Sequence, residues 1–579
     1  MIERRLDERR SGSAPHAPVG EPLSVRASLR GKHVLVTGFT GFLGKVLVGM
    51  LLERAPEIGR ITILARGKKS QPAAARVRHL FERSPGLRHL RDIHGEGLGE
   101  FLASRVDVVA GDVRDPLCGI DPRVVERLGA SVDCVIHVAG LTDFEPDPVE
   151  GLAVNVRGAL HAADLAARTR GRRLLHVSTC FVAGNVSGHV PEVLEPGLSA
   201  NGTRFSPRDE LASMESLCDA TSRRFPDPVE AKKARIERGT LRAQALGWPN
   251  LYTYTKALAE HLVASRGDVD ATFVRPSIVE CARELPFVGW NEGVNTSGPL
   301  VWLVGTVHRR MPFAEDHCFD VVPVDSVARG TILALAELLE GEHARVYQLA
   351  SGDTNRFTFG RAVDLTSLAR RRQYARSDDP FERLVLRHLD SVVHDRAAEE
   401  DPWLPAAKKL TRGVRDLFSA FKAEHHLPAS IRERWGAEIT KLVQRQAKEW
   451  GSASRTIGQV AEMLRMYQPF VFDNDLELDT SHVRRATERL DAEERALFGW
   501  DLASLDWRDY WMNVHVPGLD KWSLPLMRGE RIPEDPPFAL GRELSEHTAL
   551  RDEPSAPRTE RAREERSART DDAASPDAE

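Results

Sequence analysis

Residues 33–47, "HVLVTGFTGFLGKVL", decide the fold. The stretch opens as a short run of valine and leucine, turns through glycines, and continues as a helical pattern. A strand, a tight turn and a helix start are the parts of a phosphate site. Glycine permits the turn and lets the backbone approach a pyrophosphate. The helix start offers unpaired N–H groups and a partial positive charge. Gly38, Gly41 and Gly44 have the spacing G-x-x-G-x-x-G, which is weak alone. Its meaning comes from the strand before it and the helix after it. The stretch is read as a dinucleotide-binding loop, with Thr40, Phe42 and Leu43 on the same turn.

The same grammar repeats outward from the loop. Apolar runs follow at "RITILAR" (60–66), "VDVVAGD" (106–112), "VDCVIHVAG" (132–140), "RRLLHVST" (172–179) and "ATFVRPS" (271–277). They are near-continuous rather than alternating, as strands buried on both faces read. Helical segments lie between them, such as residues 148–169, "PVEGLAVNVRGALHAADLAART". Repeated strand-helix-strand units predict an α/β fold of the Rossmann type, a doubly wound parallel sheet with helices on both faces. The charged segment 185–248 reads as an insertion beside the substrate cleft. The βα pattern stops near residue 358. The expected organisation is a disordered leader (1–30), a dinucleotide-binding domain (31–357), a mostly helical C-terminal domain (358–533) and a disordered tail (534–579).

Composition narrows the function classes. The chain has 579 residues, 41% hydrophobic and 28% charged, with a formal net charge of -5. That small charge gives no support to a nucleic-acid binder. The six cysteines are scattered, without C-x-x-C or zinc spacing, so no metal is expected and a reducing cytosol fits. No apolar stretch is long enough to span a bilayer. Residues 406–426 have helical apolar spacing with Lys408, Lys409, Arg412, Arg415 and Lys422 on the other face. A helix packed on its own domain is the favoured reading, and a peripheral membrane contact the alternative. The adjacent His425 and His426 are poorly spaced for a metal. His515 and the tryptophans Trp507, Trp511 and Trp522 read as packing residues.

Cofactor choice is read at the end of the second strand. A carboxylate there would hold the ribose hydroxyl of NAD. This chain has Arg66, followed by Lys68 and Lys69. An arginine suits a 2′-phosphate through charge-assisted hydrogen bonds, so NADPH is expected. Asp112 and Val113, after the third strand, are placed near the adenine. Ala139 and Gly140, after the fourth, let the backbone lie close to the cofactor.

The chemistry is read from residues 250–263, "NLYTYTKALAEHLV". Tyr252 and Lys256 stand four apart, on one helix face. The fifth strand leaves Ser178 and Thr179 at the carboxyl edge of the sheet, where ligands of such sheets bind. Tyr252 can donate to a developing oxyanion, and the Thr179 hydroxyl can orient the carbonyl. The Lys256 charge is expected to lower the tyrosine pKa. Tyr254 and Thr255 are expected to be structural.

With these stretches in view, the chain resembles the extended short-chain dehydrogenase/reductases. Among them it is most similar to the fatty acyl-CoA reductases with their male-sterility-type domain. The resemblance rests on "VTGFTGFLGKVL" (36–47), "NVRG" (155–158), "HVSTCFVAG" (176–184), "YTYTKALAE" (252–260), "VRPSIV" (274–279), "ELPFVGW" (284–290) and "DVVPVD" (320–325). Further on, "YQPFVFDNDLELDT" (467–480) and residues 498–522 look like the family's C-terminal domain, more like its bacterial members. The resemblance implies a catalytic set of Thr179, Tyr252 and Lys256. It implies NADPH at Gly38, Gly41, Gly44, Arg66 and Asp112, with the nicotinamide meeting Pro276 to Ile278. It implies reduction of a long-chain acyl-CoA to an aldehyde and then an alcohol. Two stretches depart from the family pattern: "ARGKK" (65–69) moves the basic charges, and "STCFV" (178–182) puts Phe181 where a tyrosine is usual. A carrier-bound acyl thioester, an aldehyde end product and an NADPH-sensing protein are the competing readings. Chain length and oligomeric state are left open.

Overall fold

Runs of valine, isoleucine and leucine without alternation need cover on both faces, and the chain provides it. The computed structural model describes residues 21–378 apart from 69–70, 294–296, 305–309 and 312, residues 468–547 apart from 528 and 543, and isolated positions between them. Apart from a two-residue pair, Arg310–Met311 with Val392–Val393, the strands in chain order are β1 (His33–Thr37), β2 (Arg60–Ala65), β3 (Val106–Ala110), β4 (Cys134–His137), β5 (Arg173–Val177), β6 (Gly188–Val190), β7 (Asp270–Pro276), β8 (Ile278–Glu280), β9 (Val321–Pro323), β10 (Val346–Leu349), β11 (Leu476–Leu478) and β12 (Ser545–His547). Eight of them form one parallel sheet in the order β10-β7-β5-β4-β1-β2-β3-β12. Val34 of β1 faces Ile61 on β2 and Cys134 on β4. The order therefore reverses at β1, between β2 and β4. Loops leaving β1 and β4 run to opposite sides, and the crevice between them is where such sheets bind ligands.

All six strands expected from the sequence are present in this sheet. β10 and β12 extend it at its two edges. β12 overturns the disordered-tail boundary at residue 534. Its three residues carry no apolar signal, and they join the edge through ladder bonds to β3 and a 3.3 Å contact from His547 Nε2 to Asp107. Asp535 is also fixed, by Arg88 (Nε–Oδ2 2.9 Å) and by Arg91. The leader boundary moves too. Residues 25–29 form a helical turn capped by Ser24, with Val25 and Leu29 fully buried. The backbone N–H of Val25 donates to Glu494 at 2.7 Å, so this helical turn is tied to the C-terminal part.

The segment after residue 358 is mostly helical where it is described. It does not build a core of its own there. Trp507, Trp511 and Trp522 are buried in the same cluster as the sheet and its helices. The Trp507 ring stacks 4.5 Å from Phe357, and Trp522 meets Trp290 edge-on at 4.8 Å. His515 is buried beside Trp511. These residues are packing, as expected, and the apolar seam explains why the C-terminal part sits fixed on the reductase part. The insertion contributes two helices, Pro207–Arg224 and Pro228–Ala245, packed beside the Tyr/Lys helix. The basic segment 406–426 and the histidine pair lie, save for isolated positions, outside the described residues. No described helix is long and apolar enough to cross a membrane.

Three helices matter for the site: α1 (Phe42–Arg54), α2 (Ala73–Arg83) and α3 (Leu251–Ala264). Asn250 caps α3 by accepting from the Thr253 N–H at 2.9 Å. A buried ion pair ties α3 to the sheet: Arg275 of β7 donates to Glu260 through Nε at 3.0 Å and Nη2 at 2.5 Å. Glu260 is one turn beyond Lys256, so the pair fixes the helix that carries the candidate chemistry. Glu260→Ala leaves a buried guanidinium uncompensated and is expected to lower stability by about 3–5 kcal/mol in urea unfolding. A loss below about 1 kcal/mol would show that the pair does not anchor the helix.

Candidate active site

The site is built from the switch point outward. Gly38 has φ +81°, and a Cβ placed on it would lie 2.5 Å from the amide nitrogen of Ala139. A Cβ on Gly44 would lie 2.3 Å from the Gly38 carbonyl oxygen. The loop therefore needs glycine at both places, for backbone conformation at one and close approach at both. Gly41 caps α1 without a side-chain acceptor, so the first turn keeps its donors for a ligand. These features fit a pyrophosphate lying against the helix start.

A cleft of about 730 Å³ opens from this loop. It is lined by Gly38, Thr40, Gly41, Phe42, Leu43, Gly44, Arg66, Asp112, Val113, Ala139, Gly140, Thr179, Tyr252, Lys256, Pro276 and Ile278. The glycine loop, Arg66, Asp112 and the set of Thr179, Tyr252 and Lys256 thus face one space. That volume suits a small-molecule or cofactor site.

At the reacting end, the Thr179 hydroxyl donates to the Pro276 carbonyl at 3.4 Å, and it stands near enough to Tyr252 for a hydrogen bond that favours the phenolate. Burial pushes Tyr252 up to about 12, against the lowering effect of that hydrogen bond. Lys256 is buried and donates to the Val177 carbonyl at 2.7 Å. Burial pulls it down to about 8, opposed by the Glu260 carboxylate. The expectation that Lys256 lowers the tyrosine pKa is not met. Its ammonium is turned to the end of β5, and desolvation governs the phenol instead. At neutral pH the site holds a neutral phenol and a charged lysine. The Ser178 hydroxyl is buried without a hydrogen-bond partner among the described residues, a polar group left over beside the cleft. Tyr254 and Thr255 are structural as expected: the Tyr254 hydroxyl donates to Glu210 at 2.7 Å, and Thr255 accepts from Asn155 at 3.0 Å.

At the other end, Asp112 lines the cleft, but its carboxylate is engaged. Arg114 Nη2 donates to it at 2.7 Å, and Arg66 stands at 3.5 Å. So a carboxylate does stand beside Arg66 in space, contributed by the next strand and already bound by arginines. A second depression adjoins this end, lined by Arg66, Lys68, Arg76, Arg114, Asp112 and Asp115 among others. Arg76 comes from α2 and was not read from the sequence. Its pKa is pulled down by burial and by the neighbouring Arg66, which is the signature of a cation crowded by another. Lys69 lies outside the described residues.

Sequence reasoning also missed Asn155. Its stretch, Leu152–Arg157, is a π-helical turn between two α-helical pieces. The extra residue in such a turn re-aims a side chain. Here the buried amide accepts from the Leu141 N–H at 2.7 Å and donates to the Leu141 carbonyl at 3.1 Å and to Thr255 at 3.0 Å. It clasps the loop after β4 to α3, which sets Gly140 opposite Lys256. The "NVRG" stretch carried the signal, but only as part of the family resemblance.

A family model described as "Male sterility protein" matches residues 36–331. The chain belongs to that family. The matched region is an NAD(P)-binding domain, and it contains the glycine loop, Thr179 and the Tyr/Lys helix. Fatty acyl-CoA reductase 2, chloroplastic, of Arabidopsis thaliana is 28% identical over 517 residues, covering 86% of this chain and 79% of its own. The alcohol-forming fatty acyl-CoA reductase of Simmondsia chinensis is 25% identical over 515 residues, covering 86% and 98%. Among solved structures, the terminal R domain of the myxalamid biosynthetic pathway is 19% identical, with a TM-score of 0.48 and coverage of 89% and 94%.

The close approach at Gly38 gives a direct test. Gly38→Ala is expected to weaken dinucleotide binding at least about tenfold, read by fluorescence titration of protein whose circular dichroism is unchanged. Undiminished affinity would contradict the placement of the cofactor on this loop.

Proposed function

We propose that the chain reduces a long-chain fatty acyl-CoA to a fatty alcohol through a fatty aldehyde, using NADPH and releasing CoA. The observation that carries this is the convergence of Thr179, Tyr252 and Lys256 on one wall of a dinucleotide cleft. The family, and the reductases it is similar to along most of its length, supply the acyl-CoA. When bound, the dinucleotide supplies a hydride to the carbonyl carbon.

The chain's own residues do the rest. Thr179 and Tyr252 donate hydrogen bonds to the carbonyl oxygen as it gains negative charge. A phenol raised to about 12 is neutral at working pH, so it is ready to give a proton rather than take one. The buried Lys256 ammonium lines the same cleft. A thioester that gains one hydride and one proton becomes a hemithioacetal, which loses CoA thiol to leave the aldehyde. The aldehyde gains a second hydride and proton to become the alcohol. Both steps ask the same of the site: a carbonyl oxygen between Thr179 and Tyr252. Arg66, Arg76, Lys68 and Arg114 gather positive charge at the far end, which favours the 2′-phosphate of NADPH over NADH. In cells such a protein would act in the cytoplasm.

Three outcomes are expected. Tyr252→Phe lowers the rate of CoA release by about 10²–10³ while NADPH still binds. Near-normal turnover in that variant would remove Tyr252 from the mechanism. Lys256 carries its charge below about 8 and loses it above, so kcat/KM is expected to fall as pH rises through about 8. A profile flat from about pH 6 to about pH 10 would contradict a role for the ammonium. Arg76→Ala is expected to raise KM for NADPH at least about tenfold and leave KM for NADH nearly unchanged. Equal effects on both would sink the 2′-phosphate assignment.

A further inference from the structure

A cluster of phenylalanine rings stands at the reacting end of the cleft and takes no part in the chemistry above. The Phe144 ring lies 5.9 Å from the Tyr252 ring. The Phe470 ring lies 5.4 Å from Phe144 and 5.2 Å, edge-on, from Phe181. Phe144 and Phe181 line the cleft. Phe470 stands against both of these rings, and all three are half-buried.

Phe470 reaches this place through a strap from the C-terminal part. β11, a few residues after it, pairs in parallel with β6. The Gly188 N–H donates to the Asp475 carbonyl at 2.7 Å. The Asp475 carboxylate accepts from the Cys318 N–H at 2.9 Å and from Arg356 at 2.8 Å. Asn474 donates to the Pro469 carbonyl at 2.6 Å, which closes the turn that carries the ring. A half-exposed aromatic wall beside a polar cleft suits an apolar occupant. Here that occupant is an alkyl chain whose head sits at Tyr252.

The chemistry makes such a wall matter at one moment. Before the first reduction the substrate is held by its CoA as well as its chain. Once the thiol has left, the aldehyde has no charged group and no covalent link to the protein. Only contacts to its apolar chain and one carbonyl hydrogen-bonding site keep it in place. We propose that Phe470, set across Phe144 and Phe181, holds the aldehyde at Tyr252 between the two reductions. The C-terminal part would thereby decide whether alcohol or aldehyde leaves the protein. This inference rests on the two-step reading given under the proposed function.

The test is label partition. Full-length protein is given labelled palmitoyl-CoA, NADPH and an excess of unlabelled hexadecanal, and label is counted in hexadecanol and in free hexadecanal. The wild type is expected to send most label to hexadecanol. Phe470→Ala is expected to raise the labelled hexadecanal fraction about tenfold, with initial CoA release within about twofold of the wild type. Phe470→Leu keeps an apolar wall and is expected to fall between the two. It also carries the test if the alanine variant does not fold, because wild-type partition in a folded leucine variant would overturn the proposal. A wild-type partition in Phe470→Ala would overturn it as well. So would a loss of CoA release as large as the change in partition, because the ring would then be building the site rather than holding the aldehyde. In each of those cases the two-step reading survives. Release of nearly all label as free hexadecanal by the wild type would overturn this inference too, and if no hexadecanol formed from the unlabelled aldehyde either, the two-step reading would fall with it.

Discussion

Everything in this molecule turns on how closely two backbone segments meet at the switch point of the sheet. The turn after β1 passes within 2.5 Å, measured from a would-be Cβ on Gly38, of the peptide that follows β4. Thr37 locks the same place. Its hydroxyl pairs with His137 at 2.8 Å and accepts from the Ala139 N–H at 3.3 Å. With β1 and β4 held together there, their loops are forced apart, and the cleft exists because they part. The phosphate loop, the Asn155 clasp and the end of β5 then all open on one space. A side chain at Gly38 would push the two strands apart at the one point from which the site is measured.

The electrostatics follow from the same closeness. The reacting end is buried, so each ionisable group pays for its charge there. The phenol is pushed up and the lysine pulled down. That leaves a proton on Tyr252 where an alkoxide would form, and leaves Lys256 close to the edge of its charged range. The far end is built on the opposite plan, with Arg66 and Arg114 on the Asp112 carboxylate, Arg76 beside them, and the group open to solvent. The cleft thus separates a low-dielectric reacting end from a cationic binding end, and the dinucleotide loop joins them.

Much of this was legible in residue order. The near-continuous apolar runs predicted all six central strands, because burial on both faces leaves a plain composition signal. The glycine loop and the Tyr/Lys pair were legible because their chemistry needs fixed spacing. What was not legible came from contacts distant in sequence. Arg76 reaches the basic end from the following helix. Asn155 acts through a π turn that no period predicts. β12 has a sequence, Ser-Glu-His, that carries no strand signal and depends on the edge of β3. The tyrosine pKa was misjudged for a related reason: spacing places Lys256 one turn from Tyr252, but only the fold shows its ammonium bound to Val177. Phe470 lay in a stretch that resembled the family, yet nothing in the stretch says that it meets Phe144 and Phe181.

The proposed chemistry puts two successive reductions of a fatty acyl thioester on one site. Its most direct test is to give the wild-type protein palmitoyl-CoA and count NADPH oxidised against CoA released, with the lipid product identified by gas chromatography. Two NADPH for each CoA, with hexadecanol as the product, is the expected result. One NADPH for each CoA, with hexadecanal, would contradict the two-step account, and no oxidation with any acyl-CoA would contradict the substrate itself.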